Sequence, residues 1–198
     1  MNVAILTFEG FNELDSFIAS SILNKVKDWN VKITSPSEEV TSMNGVIVKA
    51  QEQLEFANKA DVVLFGSGIY TRDVAQDETI MNRLKLDSSK QLIGAQCSGT
   101  LLMAKLGLLN DLPACTDLIS KPWVIEAGVD ILEQSFVANG NVATSGGCMS
   151  SEYLATWVMV KKAGKETAKS ILNYVAPVGE GEKHISRCIS VVEPYCNN

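Results

Sequence analysis

The sequence of 198 residues contains one histidine, His184, and no apolar run long enough to cross a bilayer. A single histidine excludes multi-histidine metal sites, and any Ser-His or Cys-His mechanism would depend on that side chain. Basic residues are also few: 17 Lys and Arg stand against 23 Asp and Glu, for a net charge of −6. We therefore expect neither a nucleic-acid nor a membrane partner, since nucleic-acid binding needs a basic surface. The length suits a single domain covering 1–198.

The sequence also lacks Cys-x-x-Cys pairs, although it has five cysteines. They are Cys97, Cys115, Cys148, Cys188 and Cys196. An odd number without such pairing favours neither a disulfide framework nor a zinc ribbon. The apolar start has no basic residues before it and no cleavage signal after it, so it does not resemble a signal peptide. We expect a cytoplasmic protein with reduced thiols.

Short apolar runs typical of buried parallel strands alternate with segments of helical spacing. Predicted strands cover 2–8, 31–34, 61–65 and 91–96, with hairpins at Asn44-Gly45 and Asn139-Gly140. Predicted helices cover 77–86, 100–106, 122–127 and 165–174, with one from the N-cap Asn12 to Val26 and one from Gly146-Gly147 through Val160. The segment 165–174 is taken as the last helix. This alternation predicts an α/β fold with a mainly parallel sheet.

In sheets of this class, sites form beyond the carboxyl ends of the strands. That rule selects four segments: 9–15, 66–68, 96–100 and 145–149. The third overlaps Ala95-Gln96-Cys97-Ser98-Gly99, where a strand passes directly into a helix. Small residues two before and two after Cys97 suit a sharp turn like the nucleophile elbow of α/β hydrolases. At a helix N-terminus the sulfur would be favoured as thiolate. The alternative is a buried cysteine at a tight turn.

The elbow and its surroundings resemble the DJ-1/PfpI family, within the class I glutamine amidotransferase-like fold. The matching segments follow in order along nearly the whole chain, including Leu14-Asp15, Ser42 to Gly45, the run after Cys97 with Leu106-Gly-Leu-Leu109, and Gly146-Gly147. The resemblance implies a three-layer α/β/α sandwich with a flavodoxin-like sheet, no cofactor and no metal. It also implies a homodimer.

The same resemblance implies roles for individual residues. Asp15 matches the acid that contacts the elbow cysteine, and an aspartate there is more similar to the isocyanide-hydratase branch than to glyoxalase or deglycase-like branches. The backbone amides of Ser98, and of Ser67 after Gly66, match an oxyanion-hole-like pocket. Beside a thiolate, repulsion and burial would raise the pKa of Asp15, so that it could act as a general acid. The alternative role for Asp15 is a first-turn carboxylate favoured by the helix dipole.

Two departures from the family pattern concern histidine. Many relatives carry one beside the cysteine, where Ser98 and Asp117 stand here, so a Cys-His dyad is not expected. Glutamine amidotransferases have a late histidine followed two residues on by glutamate, which is Ser186 here. We interpret His184 as an exposed loop residue. Cys148, after Gly147 at the start of a helix, is interpreted as pocket wall or, alternatively, as a resolving thiol for Cys97.

Three functions follow as hypotheses. The first is a cofactor-independent cysteine enzyme acting on a small electrophile, most similar to isocyanide hydratase, with glyoxalase, deglycase or amidase chemistry as alternatives. The second is a redox-responsive stress protein in which Cys97 is oxidised. The third is a sensor module, because this fold also occurs fused to AraC-type DNA-binding domains. We expect no direct DNA regulation, since no helix-turn-helix pattern is found before Asn198 and the charge is acidic. The sequence assigns no role to Cys115, Cys188 or Cys196.

Overall fold

A computed structural model describes residues 1–196, so the last two positions of the predicted domain lie outside the described residues. The strands are β1 (Asn2–Leu6), β2 (Asn30–Ser35), β3 (Glu39–Thr41), β4 (Ile47–Lys49), β5 (Glu52–Gln53), β6 (Val62–Phe65), β7 (Leu92–Gln96), β8 (Phe136–Asn139) and β9 (Val142–Ser145). The helices are α1 (Glu13–Leu23), α2 (Thr71–Gln76), α3 (Glu78–Met81), α4 (Gly99–Lys105), α5 (Lys121–Glu126), α6 (Ser151–Ala163), α7 (Lys165–Val175) and α8 (Gly181–Val192).

One seven-stranded sheet has the order β5-β2-β1-β6-β7-β9-β8. All neighbouring strands are parallel except β8, which pairs antiparallel with β9. The central strands β1, β6 and β7 are almost fully buried, which explains their continuous apolar sequences. Both predicted hairpins are confirmed, as β3 with β4 and as β8 with β9.

Helices cover both faces of this sheet. One apolar cluster joins the sheet to α1, α6, α7 and α8, and the other joins it to α2, α4, α5 and a 3-10 turn at Leu54–Lys59. The fold is therefore the predicted three-layer α/β/α sandwich with a flavodoxin-like, mainly parallel sheet. Within residues 1–196, no helix combines the length and the apolar character that crossing a membrane requires.

The predicted helix over 77–86 is wrong. The chain instead forms two short helices, α2 and α3, separated by Asp77, whose carboxylate accepts a hydrogen bond from the Thr79 amide at 2.8 Å. The side chain of Asn58 ends the helical path: its Nδ2 donates to the carbonyl of Arg83 and its Oδ1 accepts from the amide of Lys85. This tertiary contact replaces the helical hydrogen bonds that local spacing predicted.

The prediction that 165–174 is the last helix is also wrong, because α8 follows it. Four side chains of α8 recur at helical spacing and pack on the α6 face of the sandwich: Ile185, Cys188, Ile189 and Val192. This pattern was present in the sequence but stands within a polar segment. His184 therefore lies on a helix, with only 10% of its side chain exposed, and not in an exposed loop.

Trp157 gives a test of the core beneath α6. It is fully buried against Phe136, and its indole N–H has no hydrogen-bond acceptor among the described residues. Trp157→Ala should cost about 3–5 kcal/mol in unfolding free energy because it leaves a large cavity. Trp157→Phe should cost clearly less, because it keeps a ring and removes the unpaired donor. Urea unfolding followed by far-UV circular dichroism measures both; equal losses would contradict this account of the site.

Candidate active site

The four segments selected from strand ends meet at one edge of the sheet. Around them lies a cavity of about 930 Å³, lined by residues of all four segments, including Asn12, Ser67, Cys97 and Cys148. Apolar side chains from the chain around α5 form much of the remaining wall: Leu118, Ile119, Trp123, Ile131 and Leu132. The cavity therefore combines a few polar groups at its base with an apolar wall, as small-molecule sites do.

The predicted elbow at Cys97 is present as a strained turn. Cys97 has a backbone φ of 49°, a left-handed conformation that residues other than glycine rarely adopt. Its amide donates to the Ser145 carbonyl at 2.8 Å, and its carbonyl accepts from Thr116 Oγ1 at 2.8 Å. A Cβ at Gly99 would lie 2.6 Å from the Gly66 carbonyl oxygen, so only glycine fits there. The small residues of the motif thus serve the tight approach of α4 to the end of β6.

Asp15, Cys97 and Cys148 form a compact cluster at the base of the cavity. One carboxylate oxygen and the two sulfurs all lie within 4.8 Å of one another. Asp15 is only 3% exposed. Ser67 Oγ donates a hydrogen bond to Asp15 Oδ2, whereas the buried Oδ1 accepts none from the described residues. The Cys97 and Cys148 thiols are the neighbouring groups that can donate to the Asp15 carboxylate.

Burial controls the charge of this cluster. Desolvation raises the pKa of the Asp15 carboxyl, and the hydrogen bond from Ser67 opposes that shift without cancelling it. Desolvation also raises the pKa of the Cys97 thiol strongly, and the negative charge of nearby Asp15 raises it further. The sequence predicted that a helix N-terminus would favour the thiolate; the structure places the sulfur where burial favours the thiol.

Burial also raises the pKa of the Cys148 thiol, the third member of the cluster. Asn12 Nδ2 donates to Cys148 Sγ at 3.2 Å, which opposes the shift. Asn12 is the predicted N-cap of α1, with Oδ1 accepting from the Leu14 amide, so one side chain both starts the helix and contacts the cluster. Its contact with sulfur was not predicted, because 136 residues separate the two in sequence.

The predicted pocket amides belong to residues at neighbouring strand ends. Ser67 and Ser98 both line the cavity, as do Gly147 and Cys148. Gly66 lies behind them: its amide donates to the Leu6 carbonyl at 3.0 Å, and a Cβ there would lie 2.7 Å from Ser16 Oγ.

The hydroxyls of these serines have contacts that sequence reasoning missed. Besides the bond from Ser67 to Asp15, Ser98 Oγ lies 2.8 Å from Thr71 Oγ1 and accepts from the Gly68 amide at 3.2 Å. These bonds tie the loop after β6 to the start of α4.

Gln96 is a site residue without a recognisable sequence signal. Its Nε2 lies 3.5 Å from Cys97 Sγ and donates to the Gly147 carbonyl at 2.7 Å. Ser145 Oγ donates to its Oε1. Gln96 thus links the elbow to the loop that carries Cys148, and both ends of its amide are used.

No histidine lies in the cavity lining of the described chain. Asp117, at the position where relatives carry one, lines the cavity, but its Oδ1 accepts from the amides of Ile119 and Ser120 at 2.9 and 3.0 Å. The carboxylate therefore shapes the turn before α5. His184 instead lies beside Glu152 and Cys188 on the α6 face.

Replacing Asp15 tests the cost of burying its charge. Because the folded-state pKa is raised above 3.8, the stability associated with this group is present at acid pH and is lost as pH rises. Asp15→Asn should therefore melt at a higher temperature than the wild type at pH 7, and the difference should shrink as the pH falls towards 4.

Glu13, in the same first turn of α1, is a control for which the opposite change in stability is expected. Hydrogen bonds from Ser42 and Asn44 lower its pKa, so Glu13→Gln should reduce stability at pH 7. Thermal melts across this pH range compare the two variants, and a lower melting temperature for Asp15→Asn at pH 7 would contradict the assignment of Asp15.

Comparisons with known proteins agree with this fold. A search of curated proteins finds no match to the chain. Among solved structures, Schizosaccharomyces pombe DJ-1 superposes with a TM-score of 0.77 at 16% identity, covering 89% of this chain and 100% of that one. Oxidised Toxoplasma gondii DJ-1 superposes with a TM-score of 0.74 at 20% identity, covering 88% of this chain and 97% of that one. Drosophila melanogaster DJ-1beta superposes with a TM-score of 0.76 at 19% identity, covering 88% of this chain and 96% of that one.

These structural likenesses are distant in sequence and establish the fold. The family itself follows from the sequence: the model of the DJ-1/PfpI family matches residues 1–161, which include the elbow, Asp15 and Cys148. The chain therefore belongs to the DJ-1/PfpI family.

Proposed function

We propose that the protein is a cofactor-independent cysteine enzyme that hydrates a small electrophile, with an isocyanide as substrate and an N-substituted formamide as product. The observation that carries this proposal is the pairing of Cys97, at a strained elbow, with a buried aspartic acid in a cavity whose described lining contains no histidine. Asp15 would therefore be the residue that donates and accepts the proton at this site.

The first chemical step would use one proton shared by Asp15 and Cys97. Because both pKa values are raised, the proton can lie on either the sulfur or the carboxyl group. The sulfur attacks the terminal isocyanide carbon while that carbon receives the proton from Asp15 Oδ1, giving a thioimidate. The amides of Ser67 and Ser98, at neighbouring strand ends, would stabilise the developing charge.

The second step would release the product. The Asp15 carboxylate accepts a proton from water as the water oxygen adds to the thioimidate carbon. The nitrogen takes the proton held by Asp15. The carbon–sulfur bond then breaks as the added hydroxyl becomes the formamide carbonyl and gives its proton to the Cys97–Asp15 pair, which is thereby restored. The reaction consumes one isocyanide and one water, so it needs no oxidant or other reactant.

An assay of formamide formation from an alkyl isocyanide tests this proposal. Cys97→Ala should reduce the rate to background because it removes the nucleophile. Asp15→Asn should reduce kcat by about 10²–10⁴-fold because it removes the proton carrier. Cys196→Ser, which replaces a cysteine outside the cavity lining, is the matched control and should keep the wild-type rate.

Background rates for the wild type would reject the isocyanide reaction. Parallel assays with a 2-oxoaldehyde and a small amide then distinguish the glyoxalase, deglycase and amidase alternatives. If one of these substrates is converted only when Cys97 is present, Cys97 is still the nucleophile and the substrate is of that class instead of an isocyanide.

A redox function is the second candidate, and the position of Cys148 favours it. The two sulfurs share one cluster, and Cys148 is only partly buried. Peroxide would oxidise Cys97 to sulfenic acid, releasing water or alcohol. Attack by the Cys148 thiolate would then form a Cys97–Cys148 disulfide and release a second water, and a low-molecular-weight thiol would reduce the disulfide.

Mass spectrometry after mild peroxide treatment separates this function from the enzyme. The wild type should lose two hydrogens in a disulfide-linked pair of peptides containing Cys97 and Cys148. Cys148→Ser should instead accumulate oxygen at Cys97 because no resolving thiol remains. Equal oxidation of Cys196 and Cys97 would contradict any special redox role for the cluster.

The homodimer and the cytoplasmic location remain predictions. Large apolar side chains are exposed beside the cavity, among them Leu118 at 86% and Ile119 at 76%. We infer that a second copy of the chain, or an apolar part of the substrate, covers this surface.

A further inference from the structure

A second cluster of potential metal ligands lies away from the cavity, between α6 and α8. It consists of Glu152, His184 and Cys188, each with one ligand atom within 4.8 Å of the other two. His184 and Cys188 are four residues apart on α8 and so share one helix face. Glu152, in the first turn of α6, faces them. None of the three lines the cavity, and the proposed reaction uses none of them.

We propose that Glu152, His184 and Cys188 bind a zinc ion through one oxygen, one nitrogen and one sulfur. Zinc takes carboxylate, imidazole and thiolate ligands together, whereas calcium and magnesium prefer oxygen alone. Three protein ligands leave a fourth tetrahedral position for water.

The separations of the ligand atoms agree with zinc geometry. His184 Nε2 lies 3.6 Å from Glu152 Oε2 and 3.9 Å from Cys188 Sγ. A tetrahedral zinc ion with bonds of about 2.0 Å to nitrogen and oxygen and about 2.3 Å to sulfur holds those pairs about 3.3 and 3.5 Å apart. Each of these two pairs would therefore close by a few tenths of an ångström on binding, and the third pair, Glu152 and Cys188, lies within 4.8 Å.

The surroundings of the cluster are partly buried but not closed. Cys188 is fully buried, while the side chains of Glu152 and His184 are 11% and 10% exposed. Burial raises the pKa of the Cys188 thiol to about 12, so without a metal the sulfur keeps its proton. Zinc binding would break that S–H bond, form a Zn–S bond and release one proton to solvent.

Arg187 competes with the metal for the same groups. Its Nη2 donates to Glu152 Oε1 at 2.6 Å and lies 3.3 Å from His184 Nδ1. With zinc on Nε2, Nδ1 carries the ring proton and cannot accept from Arg187. The Arg187 side chain is 56% exposed and can therefore turn towards solvent. Zinc would take the place of the arginine charge beside Glu152.

Zinc titration of the full chain, first stripped of metal with a chelator, tests the proposal. The wild type should bind about one zinc ion per chain. His184→Gln and Cys188→Ala should each weaken binding by about tenfold or more. Arg187→Gln should strengthen binding, because it removes the competing cation. Cys196→Ala is the matched control, because Cys196 lies beyond the end of α8, after the 3-10 turn at Glu193–Tyr195. It should bind zinc as the wild type does.

Cobalt(II) identifies the ligands directly. A thiolate-to-cobalt charge-transfer band should appear in the wild type and in Cys97→Ala and be absent from Cys188→Ala. His184→Gln decides the outcome if Cys188→Ala does not fold, since His184 lies at the solvent edge; circular dichroism checks each variant. Unchanged zinc affinity in His184→Gln, no binding by the wild type, or a cobalt band lost in Cys97→Ala would each overturn the proposal.

Discussion

The left-handed backbone at Cys97 is the constraint around which the cavity is built. Such a conformation costs about 1–3 kcal/mol for a residue other than glycine and persists only where neighbours hold it. Here the amide and carbonyl of Cys97 are held by Ser145 and Thr116, which lie on segments far from it in sequence. Gly99 allows α4 to start directly against the end of β6. The sulfur is thereby directed into the cavity and not into the core.

Burial gives the site its proton chemistry. An aspartate on the first turn of a helix is ordinarily exposed and ionised, and the helix dipole favours that charge. Asp15 instead faces the end of the sheet, where desolvation raises its pKa and only one of its oxygens has a donor. The same desolvation raises the pKa of the Cys97 thiol. The helix dipole acts on both groups, but loss of solvent outweighs it at this depth.

Much of the fold could be predicted because its strands are buried on both faces and read as continuous apolar runs. The α/β class with a mainly parallel sheet, the two hairpins and the meeting of four segments at one sheet edge were predicted correctly. The errors have tertiary causes. Asn58 ends the helix expected over 77–86. The apolar positions of α8 are diluted by polar neighbours, so its burial becomes evident only where it packs on the α6 face.

By itself, the sequence determined the α/β class and the elbow at Cys97, because short-range spacing and small residues encode strands, helices and tight turns. The candidate acid Asp15 came from the resemblance to the DJ-1/PfpI family. Only the tertiary structure decided which groups surround the two sulfurs: the Gln96 amide contacts the sulfur of Cys97, and the Asn12 amide contacts the sulfur of Cys148. It also decided the direction of the pKa shifts, since desolvation depends on depth in the fold. Tertiary packing likewise decided the position of His184, which was expected in an exposed loop and lies on α8 in a partly buried contact with Glu152 and Cys188.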